Sequence, residues 1–418
     1  MAVDFEPFST RWREDPYPVY RRLRDRAPVH FAPGARMYCV SRHEDVSFVL
    51  RQTALFSSAA MSEVLRPDLG PLRPRTVLAL LRFMLRARIN PFEAQRRGSL
   101  ISTDPPRHEE MRRIVSRGFT PRRIAALEPR IRRLVGALTA RLARGVPFDV
   151  VRDLAVPLPM TVIAEMLGVD SSRHGEFKRW SLALLALISG SARENPLDGG
   201  HLEDLGELYA YLRREIRARR AAPREDLVSV LVDPGRGGAL DAVDVTQFVV
   251  LLLVAGNETT TNLIGNAVSA LLDHPEALAR VARDPGLVSG AVEEALRFDS
   301  PVQIVFRTTT APAEVAGTTI PAGAVVAALL GSANRDERVF GDPDRFEPER
   351  DARAHLAFGF GEHYCLGAAL ARLEARVALT ALAPELPRCK RVGGRAAFSD
   401  SFVVRGRTAL ALQREPGR

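Results

Sequence analysis

The chain has almost no cysteine and almost no lysine. Three cysteines in 418 residues (Cys39, Cys365 and Cys389) cannot build a disulfide framework, which fits a reducing compartment. Lys178 and Lys390 are the only lysines, so nearly all of the 59 cationic residues are arginine. With abundant alanine, that pattern reads as compositional bias, and the net charge of +9 does not by itself call for nucleic acid. Long apolar runs are missing too. The longest, Phe248 to Ala255, is far below the roughly 20 residues that cross a bilayer. The N-terminus, Met1-Ala-Val-Asp-Phe-Glu-Pro-Phe, carries neither a charged-then-apolar signal nor an anchor, so a cytoplasmic protein without membrane attachment is expected. Length alone would allow two or three domains, but no Gly/Ser- or Pro-rich linker separates independent patterns. One domain over residues 1–418 is the expectation.

What is present is mostly helix. The periodicity predicts a helix over Asp15–Arg26, a hairpin of Val29–Phe31 with Met37–Val40, and a helix over His43–Arg51. Residues 60–97 are irregular apart from Thr76–Ile89, whose apolar stripe beside Arg82 and Arg86 suits a membrane-surface helix, a lid or a core helix. Asp104-Pro-Pro-Arg-His108 opens another helix, with His108 and Arg112 on one face. Helical patterns follow over 121–144, 157–167, 171–190 and 201–220. Strand-like segments cluster at 27–50, 302–330 and 395–412, against α-rich stretches at 100–300 and 366–382. The fold class is mainly α with a minor β region.

Three stretches carry chemistry. The first is Phe358-Gly-Phe-Gly-Glu-His363-Tyr-Cys365-Leu-Gly367, a glycine-rich loop before a helical pattern through Leu366, Leu370, Leu373 and Val377. A helix N-terminus and nearby backbone N–H groups lower a thiol's pKa, so Cys365 is either a metal-ligating thiolate or a small buried hydrophobe. Zinc fits poorly, because only His363 lies close by, and no C-x-x-C-H for covalent haem attachment occurs.

The second is Asp244–Asp273, about 30 residues at roughly 1.5 Å each, a rod of about 45 Å opened by an Asp244–Gln247 capping box. Its front half is apolar all round and is expected to be buried. In its middle stands Ala255-Gly256-Asn257-Glu258-Thr259-Thr260, where a carboxylate costs several kcal/mol unless paired or hydrated. Ala255, Gly256 and Thr259 share a face and leave a gap that could hold dioxygen and water, with the Thr259 hydroxyl bonding back to loosen the helix. The alternative is a core helix with a satisfied Thr–Glu cluster. The third is Glu294-Ala-Leu-Arg297, by default a surface ion pair of little weight.

These stretches, in this order and spacing, resemble the cytochrome P450 monooxygenases over about Asp15–Leu412. The Cys365 decapeptide is similar to the haem loop F-x-x-G-x-x-x-C-x-G, and Gly-Asn-Glu258-Thr259 to the A/G-G-x-D/E-T oxygen-activation motif, with Glu in place of the commoner Asp. Glu294/Arg297 matches the buried structural E-x-x-R pair, for which Arg350 is the first candidate third partner and Arg345 the second.

The resemblance implies one P450 domain, its long helix over a haem b whose iron is bound by Cys365 from the other face. His108, Arg112, Arg307 and His363 would meet the haem carboxylates, and Phe358, Gly359, Gly367, Ala255 and Gly256 would border the ring. Thr259 and Glu258 would relay protons for O2 activation. The substrate pocket would be lined by Leu251, Val254, Ala255, Val302, Gln303, Val305 and Phe402, roofed by the 60–97 and 182–202 regions. It would suit a bulky aliphatic compound such as a terpenoid, steroid, fatty acid or macrolide. A separate ferredoxin or flavodoxin with its NAD(P)H-dependent reductase is implied, docking near Arg112, Arg113 and Arg117 on a monomeric protein. Rival readings are a peroxide-driven haem oxidase, a non-catalytic haem binder or gas sensor, and a basic nucleic-acid module.

Overall fold

The computed structural model describes residues 3–61, 74–88, 97–189, 200–236, 239–394 and 397–415. Residues 62–73 and 89–96 of the 60–97 stretch, and 190–199 of the expected pocket roof, lie outside them. By contact the chain divides into two compact units. The first comprises Met1–Ala60, Ile124–Pro159 and Glu258–Arg418; the second comprises Met61–Arg123 and Met160–Asn257.

Among the described residues there are three sheets, all in the first unit. The largest has five strands in the order Val29–Ala32, Met37–Val40, Val325–Leu329, Ile304–Thr309, Phe56–Ser57. Met37–Val40 runs parallel to Val325–Leu329, and the other pairs are antiparallel. Val325-Val-Ala-Ala-Leu is apolar throughout because it is a central strand, with Val326, Ala327, Ala328 and Leu329 all buried. Behind it Val40, Val46, Val49, Leu50, Phe56 and Leu356 form a core.

A hairpin of Ala313–Val315 with Thr318–Ile320 makes the smallest sheet. The third joins Phe148–Asp149, Ala411–Arg414 and Cys389–Arg391. Its first member was not legible in the sequence, because two residues carry no alternation. In the strand-like 395–412 segment the described residues form isolated bridges, Phe398 to Arg407 and Val302 to Val404, ahead of the strand Ala411–Arg414.

The second unit is helical among the described residues. Its helix Pro74–Ala87 packs one face on His201–Ala221, with the Phe83 ring 5.7 Å from that of Tyr209. The other face leaves Leu78, Leu81 and Leu85 exposed, so this is not a core helix.

The long helix spans Ala242–Asp273 and passes from one unit to the other at Asn257/Glu258. Its cap is Asp241, whose Oδ1 accepts the N–H groups of Val243 and Asp244 at 2.9 Å each. Asp244 therefore does not cap; it accepts from Arg107 Nη2 at 2.7 Å. Among the described residues this one helix is long and apolar enough to cross a membrane by length and composition, and half of its most apolar stretch is buried in the protein.

Candidate functional site

Cys365 ends a tightly wound loop in the first unit. Its N–H donates to the Phe358 carbonyl at 2.9 Å, closing the loop on itself. Gly361 makes that winding possible. Its φ is +73°, and a Cβ there would stand 3.0 Å from the Leu50 carbonyl oxygen, so any other residue would be strained and pressed on the neighbouring helix. The helix Ala368–Leu382 starts three residues beyond Cys365, not directly after it, with Gly367 as its cap. The thiol is half-buried. His363 turns its Nε2 to the Ser58 hydroxyl at 2.9 Å, a partner no local pattern announced. Arg307 lies on strand Ile304–Thr309, 4% exposed, with Nη1 donating to the Phe306 carbonyl at 2.9 Å.

Within the long helix the burial pattern is uneven, which corrects the expectation of a fully buried front half. Every residue from Thr260 to Leu271 is buried. Leu251, Val254, Glu258 and Thr259 are half-buried and Ala255 is exposed. At 3.6 residues per turn these five share one stripe, so an otherwise apolar core helix has a single open face. The backbone stays helical through Ala255–Thr260, so the opening comes from small side chains and not from broken backbone. Gly256 is half-buried on the adjoining face, where a Cβ would stand 2.8 Å from Ile163 Cδ1. Its smallness serves close packing of the helix Pro157–Met166.

On the open stripe Glu258 has no hydrogen-bond or ion-pair partner among the described residues. Burial alone raises its pKa. A half-buried carboxyl without a counter-ion among the described residues is a candidate proton carrier.

Glu294 and Arg297 on the helix Val288–Phe298 are wholly buried, not a surface pair. Arg297 Nε and Nη2 donate to the two carboxylate oxygens at 2.8 Å each. Arg350 Nε donates to Glu294 Oε1 at 3.1 Å, and the Glu347 N–H donates to the same oxygen at 2.9 Å. Arg345 contributes its carbonyl, which accepts from Arg297 Nη2 at 3.2 Å. The helix reaches the 347–350 turn closely because Gly290 has no side chain: a Cβ there would sit 2.1 Å from the Pro348 carbonyl oxygen.

Val302 and Val305 are half-buried on the sheet side of the first unit. Two other candidates for the substrate pocket are engaged elsewhere. Gln303 is buried with its Nε2 donating to the Ser300 carbonyl at 2.8 Å, and the Phe402 ring packs on Phe8 at 5.8 Å and beneath the Arg13 guanidinium at 5.2 Å. In the second unit His108 is buried and Arg112 half-buried on the helix Arg107–Val115, one turn apart.

Among the described residues no three of His, Cys, Asp or Glu cluster as a bare metal ion would need. Iron in a porphyrin brings its remaining ligands with it, which suits a cysteine placed as Cys365 is.

Comparison with known proteins agrees with this arrangement. The family model for Cytochrome P450 matches residues 286–383, which contain the Glu294/Arg297 pair and the Cys365 loop. The chain is 36% identical to the vitamin D(3) 25-hydroxylase of Pseudonocardia autotrophica, covering 98% of this chain and 96% of that one. It is 40% identical to the erythromycin C-12 hydroxylase of Saccharopolyspora erythraea, covering 85% and 83%. The solved structure of cytochrome P450 CYP109Q5 from Chondromyces apiculatus superposes with a TM-score of 0.85 at 39% identity over 100% of both chains.

Proposed function

The chain belongs to the cytochrome P450 family and is a P450 monooxygenase with a haem-iron cofactor, and on that premise we propose that it hydroxylates a bulky aliphatic compound, with a steroid-like or macrolide skeleton favoured. The names of two relatives, a vitamin D(3) hydroxylase and an erythromycin hydroxylase, support those two skeletons. The assigned contacts Leu251, Val254, Val302 and Val305 are all aliphatic, which favours an aliphatic partner as well. Haem b is the proposed form of the cofactor. Its proposed electron donor is a separate ferredoxin or flavodoxin with an NAD(P)H-dependent reductase, and a cytoplasmic monomer working as one catalytic domain is the proposed state.

The residue roles are our assignment. The Cys365 thiolate would hold the iron, and Phe358, Gly359 and Gly367 would flank it. Arg307 and His363 of the first unit would pair the haem carboxylates through charge-assisted hydrogen bonds. In the second unit the family correspondence assigns the same role to His108 and Arg112, contact with the ring to Ala255 and Gly256, and substrate contact to Leu251 and Val254. When bound, a thiolate-ligated haem supplies the centre at which O2 is cleaved. The chain's part is proton supply and exclusion of water. The Glu258 carboxyl, whose pKa is raised by burial, would carry the proton; the Thr259 hydroxyl, next in sequence, would receive it across water in the open stripe, pass it on and be reprotonated in turn. Val302 and Val305 of the first unit would add apolar substrate contacts.

The observation that carries this reading is the open stripe with a carboxyl that has no partner among the described residues, beside a threonine, midway along an otherwise apolar helix. A non-catalytic sensor has no use for it. The test uses NADPH, a surrogate ferredoxin and reductase, and a panel of steroids and macrolides. Wild-type protein is expected to give a product one oxygen heavier. Thr259→Ala should consume NADPH at a comparable rate but return most of it as hydrogen peroxide. Unchanged coupling in that variant would refute the relay, and NADPH consumption without any oxygenated product would favour the binder.

A further inference from the structure

A charged cluster packs behind the Cys365 loop, and the reaction scheme above makes no use of it. Glu293, next to the buried Glu294, accepts two N–H groups from Arg372: Nε to Oε1 at 2.7 Å and Nη2 to Oε2 at 2.9 Å. The same carboxylate lies 3.2 Å from His355 Nε2. Arg372 also donates from Nη1 to the Tyr364 hydroxyl at 3.1 Å, and its guanidinium carbon lies 4.5 Å from the centroid of the Phe358 ring.

These contacts converge on one short segment. Phe358 offers the carbonyl that takes the Cys365 N–H, and Tyr364 is the residue immediately before the cysteine. His355 guards the entry, since its Nδ1 accepts the Ala357 N–H at 3.2 Å while its Nε2 faces Glu293. One carboxylate on the helix Val288–Phe298 therefore reaches the approach to the loop, through His355, and Phe358 and Tyr364 within it, through Arg372. The forked Arg–carboxylate geometry fixes orientation as well as distance, and a lysine cannot reproduce it. The Arg372 stack on Phe358 is likewise specific to a flat guanidinium.

We propose that Glu293, Arg372 and His355 are positioning residues that hold the Cys365 loop in the conformation that presents its thiol. The proposal rests on Cys365 being the haem ligand only for its consequence in the loaded enzyme; the claim about the loop stands apart from it.

The experiment uses the full chain. In haem-free protein, the rate at which an aromatic disulfide modifies Cys365 is followed by mass mapping, for wild type, Glu293→Gln, Glu293→Asp, Arg372→Lys, and Arg280→Lys as control. Arg280, itself far ahead of the loop in sequence, forms a comparable fork with Glu349. Glu293→Gln and Arg372→Lys should each raise the rate about tenfold by favouring local opening of the loop, Glu293→Asp should restore most of the wild-type rate, and Arg280→Lys should leave it unchanged. In haem-loaded protein the same two variants should lose part of the red-shifted ferrous–CO band.

A lower Tm with wild-type thiol reactivity in both variants would reduce the cluster to ordinary stabilisation and overturn the proposal. Should Glu293→Gln not fold, Arg372→Lys, which keeps the charge, decides alone by the same criterion. If the reactivity rises as expected but Cys365→Ser keeps the full ferrous–CO band, the positioning claim stands and the ligand assignment falls.

Discussion

Glu374 lies one turn and a half into the helix after the cysteine loop, 1% exposed, and its Oε1 finds no partner among the described residues. Burial pushes its pKa up to about 8. The sign of the linkage follows. The folded state holds this proton over a range where the unfolded chain has released it, so stability falls as pH rises from the ordinary value of 4.5 towards 8, then levels off. At about 1.4 kcal/mol per unit, the loss between pH 5 and 8 is roughly 4 kcal/mol. Glu374→Gln should flatten that slope in urea titrations across the same range; parallel curves for the two proteins would contradict the assignment. Glu293 behaves oppositely. With Arg372 and His355 opposing the cost of its own burial, its pKa is held at about 2, so its contribution is present at neutral pH and is lost as pH falls from 4.5 towards 2.

At the scale of elements, the helix Val288–Phe298 is the frame of the site, because Glu294 and Glu293 anchor two different segments from adjacent positions. Glu294→Ala would leave Arg297 buried without its carboxylate. A buried pair broken on one side costs about 3–5 kcal/mol, so this variant should unfold at markedly lower denaturant, while the exposed Arg280→Ala should shift stability by less than about 1 kcal/mol.

The sequence disclosed this element unevenly. Glu294 and Arg297 were legible because an i,i+3 pair sits on a strong helical period, and Arg350 because the motif supplied a partner to look for. Glu293 was not, since a glutamate beside a recognised glutamate carries no local signal and its partners lie 62 and 79 residues away. Ser58 beside His363 and Asp241 as the cap of the long helix were missed for related reasons. The first depends on long-range packing, and the second sat just ahead of an equally plausible Asp244. The open stripe on the long helix was visible only as a break in polarity; which residues stay uncovered is decided by what packs around them.

For the whole molecule, the relevant quantities are a net charge of +9 carried almost entirely by arginine and the one thiol on the Phe358–Gly367 loop. If the electron donor is acidic, encounter should be steered by that charge. Raising ionic strength from about 0.02 to 0.3 M should then slow reduction by a surrogate ferredoxin roughly tenfold, as the Debye length contracts. Charge reversal at Arg113 or Arg117 should weaken the salt dependence without changing substrate affinity. A reduction rate indifferent to salt would point to an apolar docking face instead.

The central claim is that Cys365 is the protein's ligand to the haem iron, and the ferrous–CO difference spectrum tests it most directly. Wild-type protein reconstituted with hemin should show the strongly red-shifted band of thiolate ligation, and Cys365→His should bind hemin without it. Retention of that band by Cys365→His, or its absence from the wild type, would contradict the account.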